Sequence, residues 1–372
     1  PDTVVVELDG RTVVPGLVDA HSHFYEWGIG EGIGADVAEL MLSSGITTTA
    51  EFAVGPDLLE VLQGYDDAGL LRVRTSAYLL YDDACGTLQD GWWRAHPPTR
   101  EPGELLRIGG IKVYSDGGAC NVPAASFTYS DGSEGDLYFT VDELAAIVAE
   151  VDEAGYQVAV HALGDRAVVT ALDAFEQVLV DGANPRHHRI EHNALVPPEL
   201  RGRYAEVGVV ATLFGALPTC FFTNPNNQFT YRTPAEYVEW EWPWRELVEL
   251  NPDTVFAWHN DYPVLDPGIG RALEGFVTRN AGDCIAPPDV AGHAITLDQA
   301  LRLMTVGGAY ALDRDTEVGS LEVDKFADLL ILNDDPYAIA PDGLVGISPL
   351  VTVVGGIAEY CAPDVGELCF GA

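Results

Sequence analysis

Residues 157–180 read QVAVHALGDRAVVTALDAFEQVLV and contain two patterns in succession. The first residues form an apolar run that includes Val158 and Val160, as in a buried strand. From Asp165 onward the apolar residues recur every three to four positions, as on one face of an amphipathic helix. A buried strand followed closely by a helix is the unit from which parallel sheets are built. We predict a strand over 157–161 and a helix over 165–180.

The same succession repeats along the chain, and Thr140 stands where an N-cap is expected before one of the helices. The other candidate helices span 57–68, 141–154, 197–207, 243–250 and 296–312. The eight candidate strands span 13–19, 45–52, 72–80, 108–114, 157–161, 188–192, 208–214 and 254–259. This count predicts an α/β fold of the TIM (β/α)8 barrel type. A doubly wound sheet is the alternative, but it requires a glycine-rich phosphate turn after its first strand, and that turn is missing.

The pattern changes after the last candidate helix, where residues 319–334 and 350–360 resemble strands separated by turns. We predict a small β-sandwich appendage, completed by residues 4–8. The expected organisation is therefore a barrel over residues 13–316, with residues 1–12 and 317–372 forming the two parts of the small β domain.

The charge is strongly negative, with 58 acidic and 19 basic residues among 372 and a formal net charge of −39. Such a surface repels nucleic acid and anionic membranes, so neither is expected as a partner. No apolar stretch is long enough to cross a membrane. We interpret the acidity as an adaptation to high salt, because counterions would relieve the repulsion within the chain, and a merely acidic mesophilic protein is the alternative. The expected partner is a small-molecule substrate, and the sequence leaves open whether the protein forms a homo-oligomer.

The six cysteines are scattered, without a CxxC motif or a dense framework. They are Cys85, Cys120, Cys220, Cys284, Cys361 and Cys369. This usage predicts reduced thiols and a cytoplasmic location, with a Cys361–Cys369 pair as a less favoured alternative. The first residues lack the profile of a signal peptide.

Ligand-type side chains follow the predicted barrel strands at their carboxyl ends, where TIM barrels carry their function. His21 and His23 lie two residues apart, so they can point to one side of the first strand. The others are Lys112, His161, His192, His259 and Asp261. Each histidine alone is more simply a buried core residue, but their convergence on one rim predicts a metal centre. His96, His187, His188 and His293 fall in loops or at strand starts and are not expected to take part.

Lys112 lies inside an apolar strand and is one of only two lysines, with Lys325. Burial lowers the pKa of a lysine, because it disfavours the ammonium form. The resulting neutral amine can react with carbon dioxide to give a carbamate. A carbamate is an anionic oxygen ligand that can bridge two divalent cations, so Lys112 is predicted to be a metal ligand.

These segments resemble the amidohydrolase superfamily, and in particular its amidohydrolase 3 branch, which includes YtcJ-like proteins and N-substituted formamide deformylases. The resemblance extends over most of the chain. Its segments are VVPGLVDAHSHF (13–24), GITTTAEF (45–52), LRIGGIKVYSDGG (106–118), VHALGDRAV (160–168), HRIEHNALV (188–196), NDYPV (260–264) and GSLEVDKFADLLILNDDP (319–336). The last segment leads into the family's small β-sandwich, which makes Lys325 a structural turn residue.

The resemblance implies a binuclear metal centre. His21 and His23 would hold one divalent ion, with Asp261 in contact, and His161 and His192 would hold the second. A carboxylated Lys112 would bridge the two ions. Zinc is the expected metal, although manganese, iron, cobalt or nickel suit the same ligands. A hydroxide on the metals would attack the substrate carbonyl, with Asp261 as general acid and base.

The chain departs from the family pattern in three places. It has fewer residues before His21, a shorter segment after His23, and His259 and Asn260 where relatives favour Gly-Ser. Glu191, beside His192, is a candidate to orient ligands or substrate. Candidate substrate-binding residues near the strand ends are Tyr114, Asp116, Asp165, Arg166, Phe214, Trp258, His259 and Tyr262.

The resemblance therefore implies a metal-dependent hydrolase acting on a carbon–nitrogen bond of a non-peptide amide, formamide or cyclic amide. Another reaction on the same scaffold, such as ester hydrolysis, deamination or decarboxylation, is the alternative. A catalytically inactive scaffold is disfavoured, because no ligand position is lost.

Overall fold

The computed structural model describes residues 5–215, 233–280, 285–286, 288–363 and 365–370. Eight parallel strands form one sheet, in which each strand pairs with its neighbours in chain order. They are β2 (Leu17–Ser22), β3 (Ile46–Val54), β4 (Arg74–Leu80), β5 (Leu106–Tyr114), β6 (Gln157–Ala162), β7 (Arg189–His192), β8 (Val210–Phe214) and β9 (Phe256–His259). These strands confirm the predicted barrel.

The two ends of this sheet meet next to the site residues. The N–H of Asp261, just beyond β9, donates to the carbonyl of His21 in β2 at 3.0 Å. Inside the barrel, the guanidinium of Arg189 is fully buried and donates to the carbonyl of Ala20, also at 3.0 Å. The first contact holds the two ends of the sheet together at the rim where the ligand-type residues lie, and the second ties β7 to β2.

Helices follow most of the strands and cover the barrel, with large apolar side chains buried between the two layers. Two of the three longest begin with the expected signals, since Thr140 forms a capping box with Glu143 and a proline opens Pro56–Asp67. The described helices are Phe24–Gly30, Val37–Ser43, Pro56–Asp67, Val141–Glu153, Asp165–Val178, Arg203–Val207, Trp244–Leu250, Ile269–Thr278, Pro288–Ala291, Leu297–Arg302 and Gly308–Ala311. None of them is long and apolar enough to cross a bilayer.

Two predicted helices are interrupted. The segment 197–207 forms a 3₁₀-helix over Pro198–Leu200 and a separate helix over Arg203–Val207. The segment 296–312 contains a π-helical turn over Leu303–Gly307. The backbone of this segment lies against the barrel, because a Cβ on Gly308 would lie 2.5 Å from the carbonyl oxygen of Val18. The spacing of apolar residues in a predicted helix does not reveal such close packing against another element.

The small antiparallel sheet has the order β1-β10-β11-β12, with strands Val13–Pro15, Leu329–Leu332, Pro349–Val354 and Ile357–Cys361. The predicted strand 13–19 is therefore two strands that belong to different sheets. They separate at Gly16, where a Cβ would lie 2.2 Å from Oγ1 of Thr47. Residues 5–8 form no strand, although Val6 and Leu8 pack against the apolar face of this sheet, and residue 4 lies outside the described part.

The prediction of reduced thiols is wrong for four of the six cysteines. Cys85 is bonded to Cys120, and Cys361 is bonded to Cys369. Loops that the sequence leaves unrelated bring the first pair together, which is why spacing alone did not reveal it. Cys220 and Cys284 lie outside the described residues. Since disulfides are rare in reducing compartments, the argument from thiols for a cytoplasmic location no longer holds.

Candidate metal centre

The carboxyl ends of five barrel strands bring the predicted ligands to one place. His21 lies in β2, Lys112 in β5, His161 in β6 and His192 at the end of β7. His23 follows β2 and Asp261 follows β9. The register between the parallel strands sets how far along the barrel axis each side chain lies. Tyr114 in β5 pairs with His161 in β6, and Ala162 in β6 pairs with His192 in β7. The imidazole centroids of His21 and His161 lie 4.7 and 4.6 Å from that of His192.

His21, His23 and Asp261 form the tightest group of donors. Their ligand atoms lie within 4.8 Å of one another. Nε2 of His23 is 3.3 Å from Oδ1 of Asp261, and Nε2 of His21 is 3.5 Å from the same oxygen. Two donors that share one ion at about 2.0–2.1 Å are separated by roughly 3–4 Å. The spacing of these three side chains therefore fits one divalent cation.

Hydrogen bonds set which nitrogen each imidazole can offer. Nδ1 of His21 lies 2.7 Å from Oε2 of Glu191, so that nitrogen donates and Nε2 remains free towards Asp261. Nε2 of His161 lies 2.8 Å from the carbonyl of Gly117 and donates to it, which leaves the lone pair on Nδ1. Metal-bound histidines typically use their second nitrogen in this way.

Glu191 is held by several partners, which fits the predicted orienting role. The guanidinium of Arg189 lies 2.8 Å from its Oε1, and the hydroxyl of Thr212 donates to its Oε2 at 2.8 Å. The carboxylate is completely buried. It therefore fixes the ring of His21 from below the proposed centre.

Lys112 is completely buried, and its Nζ has no hydrogen-bond partner in the described part of the chain. The nitrogen lies 4.4 Å from the ring centroid of Tyr114 and 5.2 Å from that of Phe52. Burial lowers the pKa of Lys112 from 10.5 to about 8, although nearby Glu191 and Asp261 oppose the shift. A buried amine without a partner is costly, and a bound cation or a carbamate would relieve that cost.

Burial also keeps most of the imidazoles neutral, as metal ligands must be. It lowers the pKa of His161 to about 3 and the pKa values of His21 and His192 well below the usual range. His23 differs, because its hydrogen bonds to Asp261 and Glu26 outweigh burial and raise its pKa to about 10. A metal ion at this position therefore competes with a proton on His23.

The pKa of Asp261 is lowered although burial alone would raise it, because the hydrogen bond from His23 and its charge outweigh the desolvation. Asp261 is thus a carboxylate that remains ionised inside the site. Its Oδ2 lies 4.0 Å from Nδ1 of His192, which has no hydrogen-bond partner among the described residues. The same carboxylate faces both halves of the predicted centre.

The predicted substrate-binding residues divide into two groups. Tyr114 and Phe214 contact the histidine cluster, with ring centroids 5.1 Å from His161 and 5.3 Å from His192. His259 also belongs to the cluster, since its ring lies 4.9 Å from that of His192. Tyr262 is partly exposed beside the site and stacks on Phe24 at 4.7 Å.

The second group has mainly structural partners, although Oδ1 of Asp116 also lies 3.5 Å from Nε2 of His161. The carboxylate of Asp116 accepts from the N–H groups of Ala124, Leu163 and Gly164, and that of Asp165 accepts from the N–H of Ser126. The side chain of Arg166 reaches the carbonyl of Gly135 at 3.5 Å. Trp258 is completely buried in the main hydrophobic core. It alternates with His259 along β9, and so it points away from the cluster.

The four histidines that were not expected at the site have other partners. His188 contacts Asp152 at 3.0 Å, His187 the carbonyl of Tyr310 at 2.7 Å and His293 Glu246 at 2.7 Å, while the ring of His96 lies against Trp92. Sequence reasoning missed three buried carboxylates near the site, Asp19, Glu51 and Asp82. Asp19 stands in the quoted DAHSHF segment and binds Asn260, so its place before the two histidines was an available signal.

Comparison with known proteins agrees with this geometry. A family model described as "Amidohydrolase family" matches residues 31–357, which is most of the chain. The chain belongs to the amidohydrolase family. The match confirms the resemblance inferred from the motifs, and the amidohydrolase fold accounts for both the barrel and the separate antiparallel sheet.

Individual relatives are distant. The chain is 28% identical over 267 residues to protein LONG AFTER FAR-RED 3 of Arabidopsis thaliana, covering 69% of this chain and 44% of that protein. It is 26% identical over 268 residues to N-substituted formamide deformylase of Arthrobacter pascens, covering 69% and 46%. An uncharacterised metal-dependent hydrolase from Pyrococcus furiosus has a similar structure, with a TM-score of 0.66, 26% identity and coverage of 81% and 59%. The chain thus spans about half the length of the curated relatives it matches.

Proposed function

We propose that this amidohydrolase is a metal-dependent hydrolase that cleaves a carbon–nitrogen bond of a non-peptide amide, formamide or cyclic amide. The observation that carries the proposal is the convergence of His21, His23 and Asp261 within 4.8 Å, with buried Lys112 beside them. The relative from Arthrobacter pascens, which acts on N-substituted formamides by its name, supports this substrate class.

The donor set supports two divalent ions, with zinc as the proposed metal. His21, His23 and Asp261 would hold the first ion, His161 and His192 the second, and a carbamate on Lys112 would bridge them. Bound metal would supply Lewis acidity and lower the pKa of a coordinated water to near neutrality. The neutral imidazoles of His21, His161 and His192 each offer a lone pair to a metal ion, and the buried Lys112 would contribute oxygen ligands once its amine has formed the carbamate.

Asp261 is the proposed general acid and base. Its lowered pKa makes it a carboxylate that can accept the proton of an attacking water, and its distances of 3.3 Å to His23 and 4.0 Å to His192 support this role. It would then deliver that proton to the leaving nitrogen, which is otherwise a poor leaving group. Glu191 orients His21, while Tyr114, Phe214, His259 and Tyr262 are proposed to contact the substrate.

A small-molecule substrate agrees with an amidohydrolase, and the oligomeric state stays open. The cytoplasmic location is no longer supported by the cysteines, because four of them form disulfides.

The test compares Lys112→Ala and Lys112→Met with Lys325→Ala, which removes the only other lysine. Lys325 lies in a turn, where its Nζ is 3.3 Å from the carbonyl of Val318, and it serves as the matched control. We expect two ions per chain in the wild type and in the control, and one or none in the Lys112 variants, by elemental analysis of folded protein. Unchanged metal content in both Lys112 variants would contradict the bridging role.

Activity is measured on N-substituted formamides, cyclic amides and esters, with and without a chelator. We expect chelator-sensitive hydrolysis of a carbon–nitrogen substrate. Turnover only of esters would replace the proposed reaction with the alternative, and turnover that no chelator affects would contradict a metal-dependent mechanism.

A further inference from the structure

Two loops at the carboxyl rim of the barrel are joined covalently. The disulfide between Cys85 and Cys120 links the loop after β4 to the loop after β5, with a Cα–Cα distance of 5.2 Å. Both cysteines are exposed at the surface. The bond therefore lies where a reductant in solution can reach it.

The second of these loops touches a predicted metal ligand. The carbonyl of Gly117 accepts the hydrogen bond from Nε2 of His161 at 2.8 Å. Gly118 follows with a φ of +139°, and a Cβ there would lie 3.3 Å from Cε1 of the same imidazole. The loop backbone therefore fixes both the tilt of the His161 ring and the nitrogen that carries its proton.

Two sets of contacts hold this loop. At its base, the carboxylate of Asp116 accepts N–H groups from Ala124, Leu163 and Gly164 at 2.8–3.1 Å. At its tip, the side-chain amide of Asn121 donates to the hydroxyl of Tyr138, which donates in turn to the carbonyl of Ala84. Residues 119–121 are exposed, and the disulfide is the only covalent attachment of this tip to the neighbouring loop in the part of the chain described here.

We propose that the Cys85–Cys120 disulfide is a positioning element of the metal centre. It restrains the loop that keeps the Gly117 carbonyl on Nε2 of His161, and thereby presents the Nδ1 lone pair of His161 to the second ion. This inference rests on the proposed function, because it takes His161 as a ligand. Opening the disulfide weakens binding of that ion while leaving the His21, His23 and Asp261 side unaffected.

Opening can be done chemically or by substitution. A water-soluble phosphine reduces the bond: the phosphine is oxidised to its oxide with oxygen from water, and the two sulfurs take up two electrons and two protons to become thiols. The double variant Cys85→Ser/Cys120→Ser removes the bond without reductant. The matched control is Cys361→Ser/Cys369→Ser, which removes the other disulfide, in the small sheet.

The experiment measures Zn²⁺ affinity by competition with a chromophoric chelator, and the visible absorption spectrum after Co²⁺ loading. Each protein is first shown to be folded by circular dichroism. We expect a loss of about 10–100-fold in affinity for one of two ions in Cys85→Ser/Cys120→Ser, as for other groups that orient a ligand. The Co²⁺ spectrum should change with it, the control variant should match the wild type, and reoxidation of the phosphine-treated wild type should restore both readouts.

The outcomes separate this inference from the proposed function. If the wild type binds two ions and the Cys85→Ser/Cys120→Ser variant binds them with the same affinity and spectrum, the positioning role is overturned and the hydrolase proposal remains. If the wild type binds neither Zn²⁺ nor Co²⁺, the metal centre itself is refuted and this inference is refuted with it. Equal weakening in both double variants would show a general effect of disulfide loss and would also overturn the positioning role.

Discussion

His259 belongs to the histidine cluster, and its imidazole is completely buried. Neither ring nitrogen has a hydrogen-bond partner among the described residues, and the ring centroid lies 4.2 Å from that of Phe214. Burial lowers its pKa to about 3, so the ring is neutral. Each unsatisfied buried polar group costs about 1–3 kcal/mol. A residue kept at such a cost is a candidate for a functional contact.

We therefore expect His259→Leu to leave the free energy of unfolding unchanged or to raise it, while kcat/KM falls at least about tenfold. Leucine fills a similar volume and removes both unsatisfied nitrogens. Urea unfolding and steady-state kinetics measure the two effects. A variant that keeps full activity and loses stability would make His259 a packing residue.

The carboxyl group of Asp82, just after β4, should make the free energy of unfolding depend on pH. Its carboxylate is buried and accepts from the N–H of Tyr114 at 2.9 Å, and burial raises its pKa from 3.8 to about 8. Between these values the folded protein keeps a proton that the unfolded chain has released. The contribution of Asp82 to stability therefore falls as the pH rises through this window.

Asp82→Asn keeps the acceptor and cannot ionise. We compare the free energy of unfolding of the variant with that of the wild type at each pH. The variant minus wild-type difference is expected to increase by about 1 kcal/mol or more between pH 5 and pH 8, since one pKa unit corresponds to about 1.4 kcal/mol. Urea titrations at the two pH values give the difference. If the free energies of unfolding of variant and wild type differ by the same amount at both pH values, Asp82 is ionised in the folded state.

At the scale of single elements, the helix Val141–Glu153 shows how local sequence sets a boundary. Thr140 accepts from the N–H of Glu143, and the Glu143 carboxylate accepts from the N–H of Thr140 at 2.9 Å. We expect Thr140→Ala to lower the free energy of unfolding by about 1 kcal/mol and Thr140→Ser to change it little, because serine keeps the cap. Chemical unfolding compares the two variants, and equal losses would show that the cap does not stabilise the helix.

Elements whose pattern is local were predicted well. Seven of the eight predicted barrel strands and the helices over 57–68 and 141–154 agree with the structure within a few residues, because burial and periodicity specify them. The segments 13–19 and 296–312 were predicted as single elements and are divided in the structure. Their breaks occur at Gly16, which lies against the side chain of Thr47, and near Gly307 and Gly308, which lie against the backbone of β9 and β2.

At the scale of the whole molecule, the net charge of −39 dominates the electrostatics. Repulsion among exposed carboxylates opposes the compact state, and the Debye length shortens from about 30 Å at 0.01 M salt to about 3 Å at 1 M. The buried pairs Arg74–Asp328 and Arg189–Glu191 are screened much less and should persist. Added salt should therefore remove mainly the repulsion.

We expect the melting temperature to rise with NaCl between about 0.01 and 1 M, in keeping with the high-salt interpretation of the composition. Thermal melts over this series, repeated with a chelator so that bound metal does not vary, test the expectation. A melting temperature independent of salt would refute the adaptation to high salt.

The sequence by itself determined the β/α alternation, the residue types at the strand ends and the family resemblance. All three follow from patterns within short segments, because a side chain's place on a strand is set by its neighbours in the chain. Lys112 and the histidine pair could be singled out for this reason, since their chemistry is unusual for an apolar strand.

Only the tertiary structure decided which side chains meet. It joined Cys85 to Cys120, placed the carboxylate of Asp116 on backbone N–H groups, buried Trp258 in the core, and placed Glu191 on His21. These outcomes depend on register between strands and on contacts between distant loops, which no local pattern encodes. Closure of the sheet is what brings Asp261 to His21 and His23, and with them the proposed centre.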